Sequence, residues 1–247
     1  MSDRIYGKKV TLQESAIKEF YDDRVARFDA QNPLVAVMFQ DSNPELAKSR
    51  DIHEKNVITP LLNLEKSDRV LDVGCGIGRW ADHISSDVAH YHGTDLMDGL
   101  IKIAQEKYAH LSHVSFQTLP AQENSPANIL DFSPYTVCIL AGLLMYVNDD
   151  TCLKILELVE QCCATQSRIL MTSPIAVEER LTLNSIWSEE MRSTYSAIYR
   201  TVDEYIDMFN QMLIPRGFHL EIVQPLFPKD LNNRKETEQY FFILKRS

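Results

Sequence analysis

Three glycines at alternate positions, Gly74, Gly76 and Gly78, stand in the run VLDVGCGIGRW, between an apolar strand-like stretch and a helix-like one. Glycine turns tightly without a Cβ clash and brings backbone amides close to a ligand at the start of a helix. Two acids accompany the turn: Asp72 within it, and Asp95 at the tip of the next strand-like stretch, YHGTDLMDG. A carboxylate at the end of the second strand of an open α/β sheet accepts hydrogen bonds from both ribose hydroxyls. The expected ligand therefore contains a nucleoside. A dinucleotide fingerprint is also present as Gly76-x-Gly78-x-x-Ala81, with Asp95 19 residues beyond Gly76, so a NAD-dependent oxidoreductase is open on pattern alone. Charge argues against it. An anionic Asp72 repels a pyrophosphate and suits a ligand carrying an ammonium group.

The run Asp72-x-Gly74-x-Gly76-x-Gly78, followed by Asp95-Leu96-Met97, resembles the first two motifs of class I S-adenosylmethionine-dependent methyltransferases. The resemblance extends over roughly residues 65–245 by strand order, and it implies a seven-stranded sheet with S-adenosylmethionine as cofactor over the carboxyl ends of the first strands. It places Gly74, Cys75, Gly76 and Gly78 against the methionine moiety, Asp95 on the ribose, Leu96 and Met97 on the adenine, and Leu140 and Ala141 along the methionine side. The family often carries an Asp after the third strand to read the adenine amino group. This chain runs FQTLPAQEN there, so Gln122 or a backbone carbonyl near Ala121 takes that part. From EFYDDRVARF, Tyr21 and Arg24 are candidates to close over the cofactor and pair with its carboxylate.

Methyl transfer from a sulfonium asks the protein mainly to align the reacting atoms and exclude water. A base is needed only where the acceptor must lose a proton. Tyr146, in LAGLLMYVNDD, and His53, in KSRDIHEKN, are the catalytic candidates; packing for the tyrosine and solvation for the histidine are the structural alternatives. Arg192, Tyr195, Tyr199 and Arg200 are candidate acceptor residues, and positions 192, 195 and 199 share a face if the stretch is helical. Guanidinium forks beside aromatic rings suit a polar or anionic ring-bearing small molecule, such as a phosphorylated or nucleotide-linked sugar, methylated at nitrogen or oxygen. A nucleoside-binding module without catalysis is the remaining alternative.

The elements that must hold these residues alternate in the manner of β-α-β units. Strand-like runs at 69–73, 90–94, 114–117, 136–141 and 168–172 are separated by helix-like stretches near 79–86, 98–111 and 149–163. The expected fold is α/β: a doubly wound, Rossmann-like, seven-stranded sheet, with 218–223 and 239–245 as the last strand pair. Residues 1–65 read as a helical N-terminal lid, with Ile17, Phe20, Tyr21, Val25 and Phe28 on one face, and 66–247 as the methyltransferase domain. Residues 175–213 read as a helical cap inserted before the last strands.

Composition bounds the partners. The chain has 247 residues, 25 basic and 35 acidic, a formal net charge of −10 that disfavours nucleic acid. Its longest apolar run, Val137 to Val147, is 11 residues against the ~20 that a membrane helix needs. The N-terminus carries charges throughout with no apolar signal region, so a cytoplasmic location is expected. Five cysteines without a C-x-x-C pair or a neighbouring His cluster read as reduced thiols, and no metal site is expected.

Overall fold

The computed structural model describes residues 3–39, 43–120, 126–129, 134–189 and 191–247. The chain begins with a short strand, β1 (Asp3–Tyr6), and two helices, α1 (Glu14–Ala26) and α2 (Pro44–Leu62). The Asn43 side chain caps α2 by accepting from the Leu46 amide at 3.3 Å, with Pro44 in the first turn, where its missing N–H is not needed. Next come β2 (Arg69–Val73), α3 (Ala81–Ile84), β3 (His90–Asp95), α4 (Asp98–Tyr108), β4 (Val114–Thr118) and β5 (Tyr135–Ala141). The remainder is α5 (Asp149–Cys162), β6 (Cys163–Ala176), β7 (Leu181–Ser188), β8 (Ser193–Tyr199), α6 (Val202–Met212), β9 (His219–Pro225) and β10 (Thr237–Arg246).

Seven strands form one sheet in the order β4-β3-β2-β5-β6-β10-β9, parallel except for β10, which runs antiparallel to both neighbours. The inner strands are covered on both faces, so they read as continuous apolar runs, and alternate residues enter opposite cores. Leu71, Val73, Cys138, Leu140 and Met171 pack toward α5 and α6, while Val70, Val137, Ile139 and Leu170 pack toward α2, α3 and α4. Chain order reverses beside β2, whose neighbours are β3 and β5. Open α/β sheets bind ligands at the carboxyl end of such a switch.

The cap differs from the expected helices. Residues 181–199 form the antiparallel hairpin β7–β8, which pairs with β1 into a three-stranded sheet, and only Val202–Met212 is helical. Two properties of the sequence favour this outcome. LTLNSIWS and STYSAIY are rich in β-branched and aromatic residues, and β1 supplies a third strand that covers their backbone. Leu181 and Leu183 then pack with Ile186, Tyr195 and Tyr199. The helical stretch begins where a capping box forms between Thr201 and Glu204. The N-terminal segment likewise opens with a strand before its helices.

Among the described residues no helix is long and apolar enough to cross a membrane. All five cysteines are free and buried.

Candidate active site

A cavity of about 500 Å³ opens over the carboxyl ends of β2, β3, β5 and β6. Its floor is the glycine turn. The amides of Gly74 and Cys75 donate to the Thr94 carbonyl at 2.7 and 3.0 Å, tying the turn to the end of β3. Gly76 and Gly78 have φ of +57° and +76°, which L side chains rarely adopt. A Cβ at Gly76 would lie 2.7 Å from Val37, and one at Gly78 2.8 Å from Tyr108 and 2.9 Å from Phe116. No larger residue fits either place without displacing packed side chains.

The two acids have distinct surroundings. Asp95 accepts from the Gly76 amide at 2.9 Å through Oδ2 and from the Met97 amide at 2.9 Å through Oδ1, which leaves each oxygen a further lone pair. Burial pushes its carboxyl up, and the Met97, Gly76 and Leu96 amides pull it back. Asp72 accepts from the Tyr91 hydroxyl through Oδ2, whereas its Oδ1 is buried without a partner. Burial pushes the Asp72 carboxyl up to about 7, against the opposing pull of Tyr91 and Arg79. A buried carboxylate oxygen in this position lacks a donor, and an ammonium group supplies one. The residues therefore fit S-adenosylmethionine: an orphaned acceptor, a cradle that a Cβ would fill, and a carboxylate beside it for two hydroxyls.

Arg79 borders the same floor. Its Nη1 donates to Asp51 at 2.6 Å and to Glu54 at 2.5 Å, both on α2. Glu54 also accepts from Thr172 on β6 at 3.0 Å, so α2 links the turn to that strand.

The opposite wall is aromatic. Tyr146 follows β5, with its ring centroid 5.4 Å from Tyr21 of α1 and 6.2 Å from Tyr195 of β8. Phe20 lies behind them, 5.4 Å from Tyr195. The hydroxyls of Tyr195 and Tyr199 are 3.1 Å apart. Burial pushes the Tyr21 and Tyr195 phenols well up and Tyr199 to about 12, so all three are neutral at pH 7. At the mouth, Arg4, Arg234 and Lys235 stand with exposed Trp187 and with Glu236, the partner of Arg4.

Tyr21, Asp72, Gly74, Cys75, Gly76, Asp95, Leu96, Met97, Ala141, Tyr146, Tyr195 and Tyr199 are thus brought to one cavity. Other candidates lie elsewhere. Gly78 packs on Tyr108 and Phe116, and Leu140 is fully buried in the core below. Arg24 is turned away from the cavity: its Nε donates to the Ala36 carbonyl at 3.0 Å and its Nη2 to that of Met38 at 2.7 Å, fastening the 33–38 turn to α1. His53 sets Nε2 3.0 Å from the Leu226 carbonyl, with its ring edge-on to Phe227, and does not line the cavity.

The cap arginines also part from expectation. Arg192 occupies the exposed β7–β8 turn, away from Tyr195 and Tyr199, because the element is a hairpin. Arg200 is fully buried and donates to Asp149 through Nε at 2.9 Å and Nη2 at 2.7 Å. It also donates to the Leu144 and Val147 carbonyls at 2.6 and 2.8 Å, which makes it a brace beneath Tyr146. Ala121 and Gln122 fall outside the described residues. Sequence reasoning missed Arg4, Glu54, Arg79, Trp187, Arg234 and Lys235. For Arg79 a signal existed, since it follows Gly78 directly.

Sheet order, glycine turn and paired acids together define the class I S-adenosylmethionine-dependent methyltransferase fold. Residues 70–166 match the family described as a methyltransferase domain. A phosphoethanolamine N-methyltransferase of Triticum aestivum is 25% identical over 149 residues, which cover 60% of this chain and 28% of that protein. The chain thus spans little more than a quarter of that relative. Among solved structures, Haemonchus contortus phosphoethanolamine N-methyltransferase 1, in complex with phosphoethanolamine and S-adenosylhomocysteine, superposes with a TM-score of 0.69 at 17% identity, over 94% of this chain and 48% of that one. The magnesium protoporphyrin IX methyltransferase of Synechocystis PCC 6803 with bound S-adenosylmethionine gives 0.63 at 12% identity, over 97% and 100%. These likenesses are likenesses of fold.

Proposed function

We propose that the chain transfers a methyl group from S-adenosylmethionine to nitrogen or oxygen of a small, polar acceptor that carries negative charge. The observation that supports this reading most directly is the unpartnered Asp72 Oδ1, buried in the same cavity as Asp95 and the tyrosine wall. Asp72 receives an ammonium group, Asp95 the ribose hydroxyls, and Leu96 and Met97 the adenine. When bound there, S-adenosylmethionine supplies a methyl group that is already activated.

The remaining work belongs to the chain's own residues. Tyr21, Tyr146 and Tyr195 exclude water from the space above the turn and present hydroxyls that orient an acceptor. The neutral phenols of Tyr21 and Tyr195 are donors and acceptors of hydrogen bonds rather than bases, so an amine that binds unprotonated needs no further group to attack. Charge along the cavity is polarised. Asp72, Asp95 and Glu54 lie at the floor, where a cationic cofactor sits, and Arg4, Arg234 and Lys235 lie at the mouth. An acceptor with an anionic group enters with that group toward the arginines.

The net charge of −10 disfavours a nucleic-acid acceptor. A cytoplasmic setting, in which the five buried thiols stay reduced, completes the reading.

The test combines binding with turnover. S-adenosylhomocysteine should raise the thermal midpoint and NAD should not. Methyl-labelled donor, incubated with a panel of small amines and alcohols with and without phosphate or carboxylate groups, should label an anionic member. Phosphoethanolamine belongs in that panel because relatives of the chain act on it. A rise with NAD instead would favour the oxidoreductase, and donor binding without label transfer to any acceptor would leave a binding module.

A further inference from the structure

The three-stranded cap sheet turns one face to the cavity, and its register sets what that face offers. Side chains directly opposite on paired strands share a face. Leu181 stands opposite Tyr199, Leu183 stands between Arg4 and Ala197, and Ile186 stands opposite Tyr195. All of these but Ala197 line the cavity. The wall therefore takes a cation from β1, aliphatic side chains from β7 and two phenols from β8.

A bulge keeps the middle of this wall apolar. Strict alternation along β7 would bring residue 185, a serine, to the face of Leu181 and Leu183. Instead the register shifts between Leu183 and Ile186, with Ser185 at φ +55°, a region that L side chains seldom enter. Ser185 is exposed, its amide donates to the Ser196 hydroxyl at 2.9 Å, and Ile186 takes the place on the cavity. Bulges that re-aim a side chain recur beside ligand sites, where backbone strain is retained for what it positions.

Hydroxyls near this wall are largely engaged. Those of Tyr195 and Tyr199 bond each other, and Thr172 of β6 donates its own to Glu54. A sugar ring would bring several hydroxyls into this space, each costly when buried without a partner. A flat aromatic ring brings none and packs on phenols and aliphatic chains alike. The rim suits an anion. Arg4 meets Glu236 in a half-exposed ion pair, which is weak enough for an incoming anion to replace, and Arg234 and Lys235 stand at the same mouth.

On the donor reading above, we infer that the acceptor is an aromatic ring bearing a phosphate or carboxylate on one side and, on the other, the amine that takes the methyl group. The ring lies against Leu183, Ile186 and Tyr195, the anion reaches Arg4, and the amine faces Tyr146 and the glycine turn. The amine's lone pair forms the bond to the methyl carbon, the carbon–sulfur bond breaks with its electron pair left on sulfur, and the ammonium so formed gives up a proton to solvent.

Calorimetry on the complex with S-adenosylhomocysteine tests this with four amines: O-phosphotyramine, phosphoethanolamine, glucosamine 6-phosphate and 2-phenylethylamine. The last three lack the ring, replace it with a sugar, and lack the anion. O-Phosphotyramine should bind at least tenfold more tightly than each of them. Ile186→Ser should cut its preference over phosphoethanolamine to threefold or less while leaving S-adenosylhomocysteine affinity within twofold. Arg4→Gln, at a half-exposed side chain, serves if Ile186→Ser fails to fold. It should cut the preference over 2-phenylethylamine threefold or more and leave that over phosphoethanolamine within twofold. Phosphoethanolamine or glucosamine 6-phosphate binding as tightly as O-phosphotyramine, binding of none of the four, or preferences that neither variant moves would overturn the aromatic acceptor and leave the donor site standing. If S-adenosylhomocysteine itself does not bind, the donor reading falls.

Discussion

The Gly76 amide donates to Asp95 Oδ2 at 2.9 Å, so the second acid of the motif pair holds the turn that the first strand feeds. The same carboxylate accepts from Met97 through its other oxygen at 2.9 Å, which fixes its plane against the end of β3. Asp95 thus has two jobs. It shapes the glycine cradle in the free protein and retains lone pairs for a ribose.

Asp95→Asn should weaken S-adenosylhomocysteine binding by more than one ribose hydrogen bond is worth, because the turn loosens as well. A lost charge-assisted bond costs about 1.5–3 kcal/mol, which calorimetry reads as a ten- to hundredfold rise in Kd. Unchanged affinity in a folded variant would remove Asp95 from the nucleoside site.

Asp72 gives the protein a pH signature. Burial raises its carboxyl from 3.8 to about 7, so the folded chain keeps a proton that the unfolded chain has lost across that interval. The resulting stability is fully present below the unfolded value and disappears as pH rises through 7, at about 1.4 kcal/mol for each unit of difference. Asp72→Asn should therefore raise the thermal midpoint of the ligand-free protein over wild type by several degrees at pH 8, and by clearly less at pH 5. An equal gap at both values would mean that Asp72 titrates as an ordinary carboxylate.

Much of this site was legible because its signals are local. The glycine run, the acid at the end of β3 and the doubly buried strands each declare themselves within a few residues. The cap was misread for the complementary reason: β7 becomes a strand by pairing with β1, where Arg4 opposes Leu183 nearly 180 positions away. Arg24 and Arg200 were offered to ligands because a lone arginine in sequence looks available. Their partners are backbone carbonyls and Asp149, which only tertiary structure brings near. Arg4 escaped notice in the same way, since it reaches the mouth by pairing with Glu236, 232 residues away.

Arg200 should prove structural. Burial disfavours the charged form of Asp149, yet Arg180 and Arg200 hold its carboxyl well below the usual range. Removing one member of a buried ionic cluster costs about 3–5 kcal/mol. Arg200→Met should accordingly lower the midpoint by roughly 10 °C, at ~2–4 °C per kcal/mol for a chain of this size. Below that midpoint S-adenosylhomocysteine affinity should stay within threefold of wild type. A stable variant that has lost acceptor binding would return Arg200 to the acceptor site.

Tyr146 separates an orienting role from a packing role. Its ring fills the space between Tyr21 and Tyr195, and its hydroxyl belongs to the wall above the glycine turn. Tyr146→Phe keeps the ring and deletes only the hydroxyl, so packing, the thermal midpoint and S-adenosylhomocysteine affinity should change little. If the hydroxyl aligns the acceptor, methyl transfer to whichever panel member accepts label should slow tenfold or more, since one lost hydrogen bond of about 1.4 kcal/mol is a factor of ten in rate. The loss should fall on kcat, with KM for the donor unchanged. Tyr146→Leu removes the ring as well and should weaken donor and acceptor binding together. Undiminished turnover in Tyr146→Phe would assign the residue to packing alone and leave Tyr195 and Tyr199 as the hydroxyls that position the acceptor.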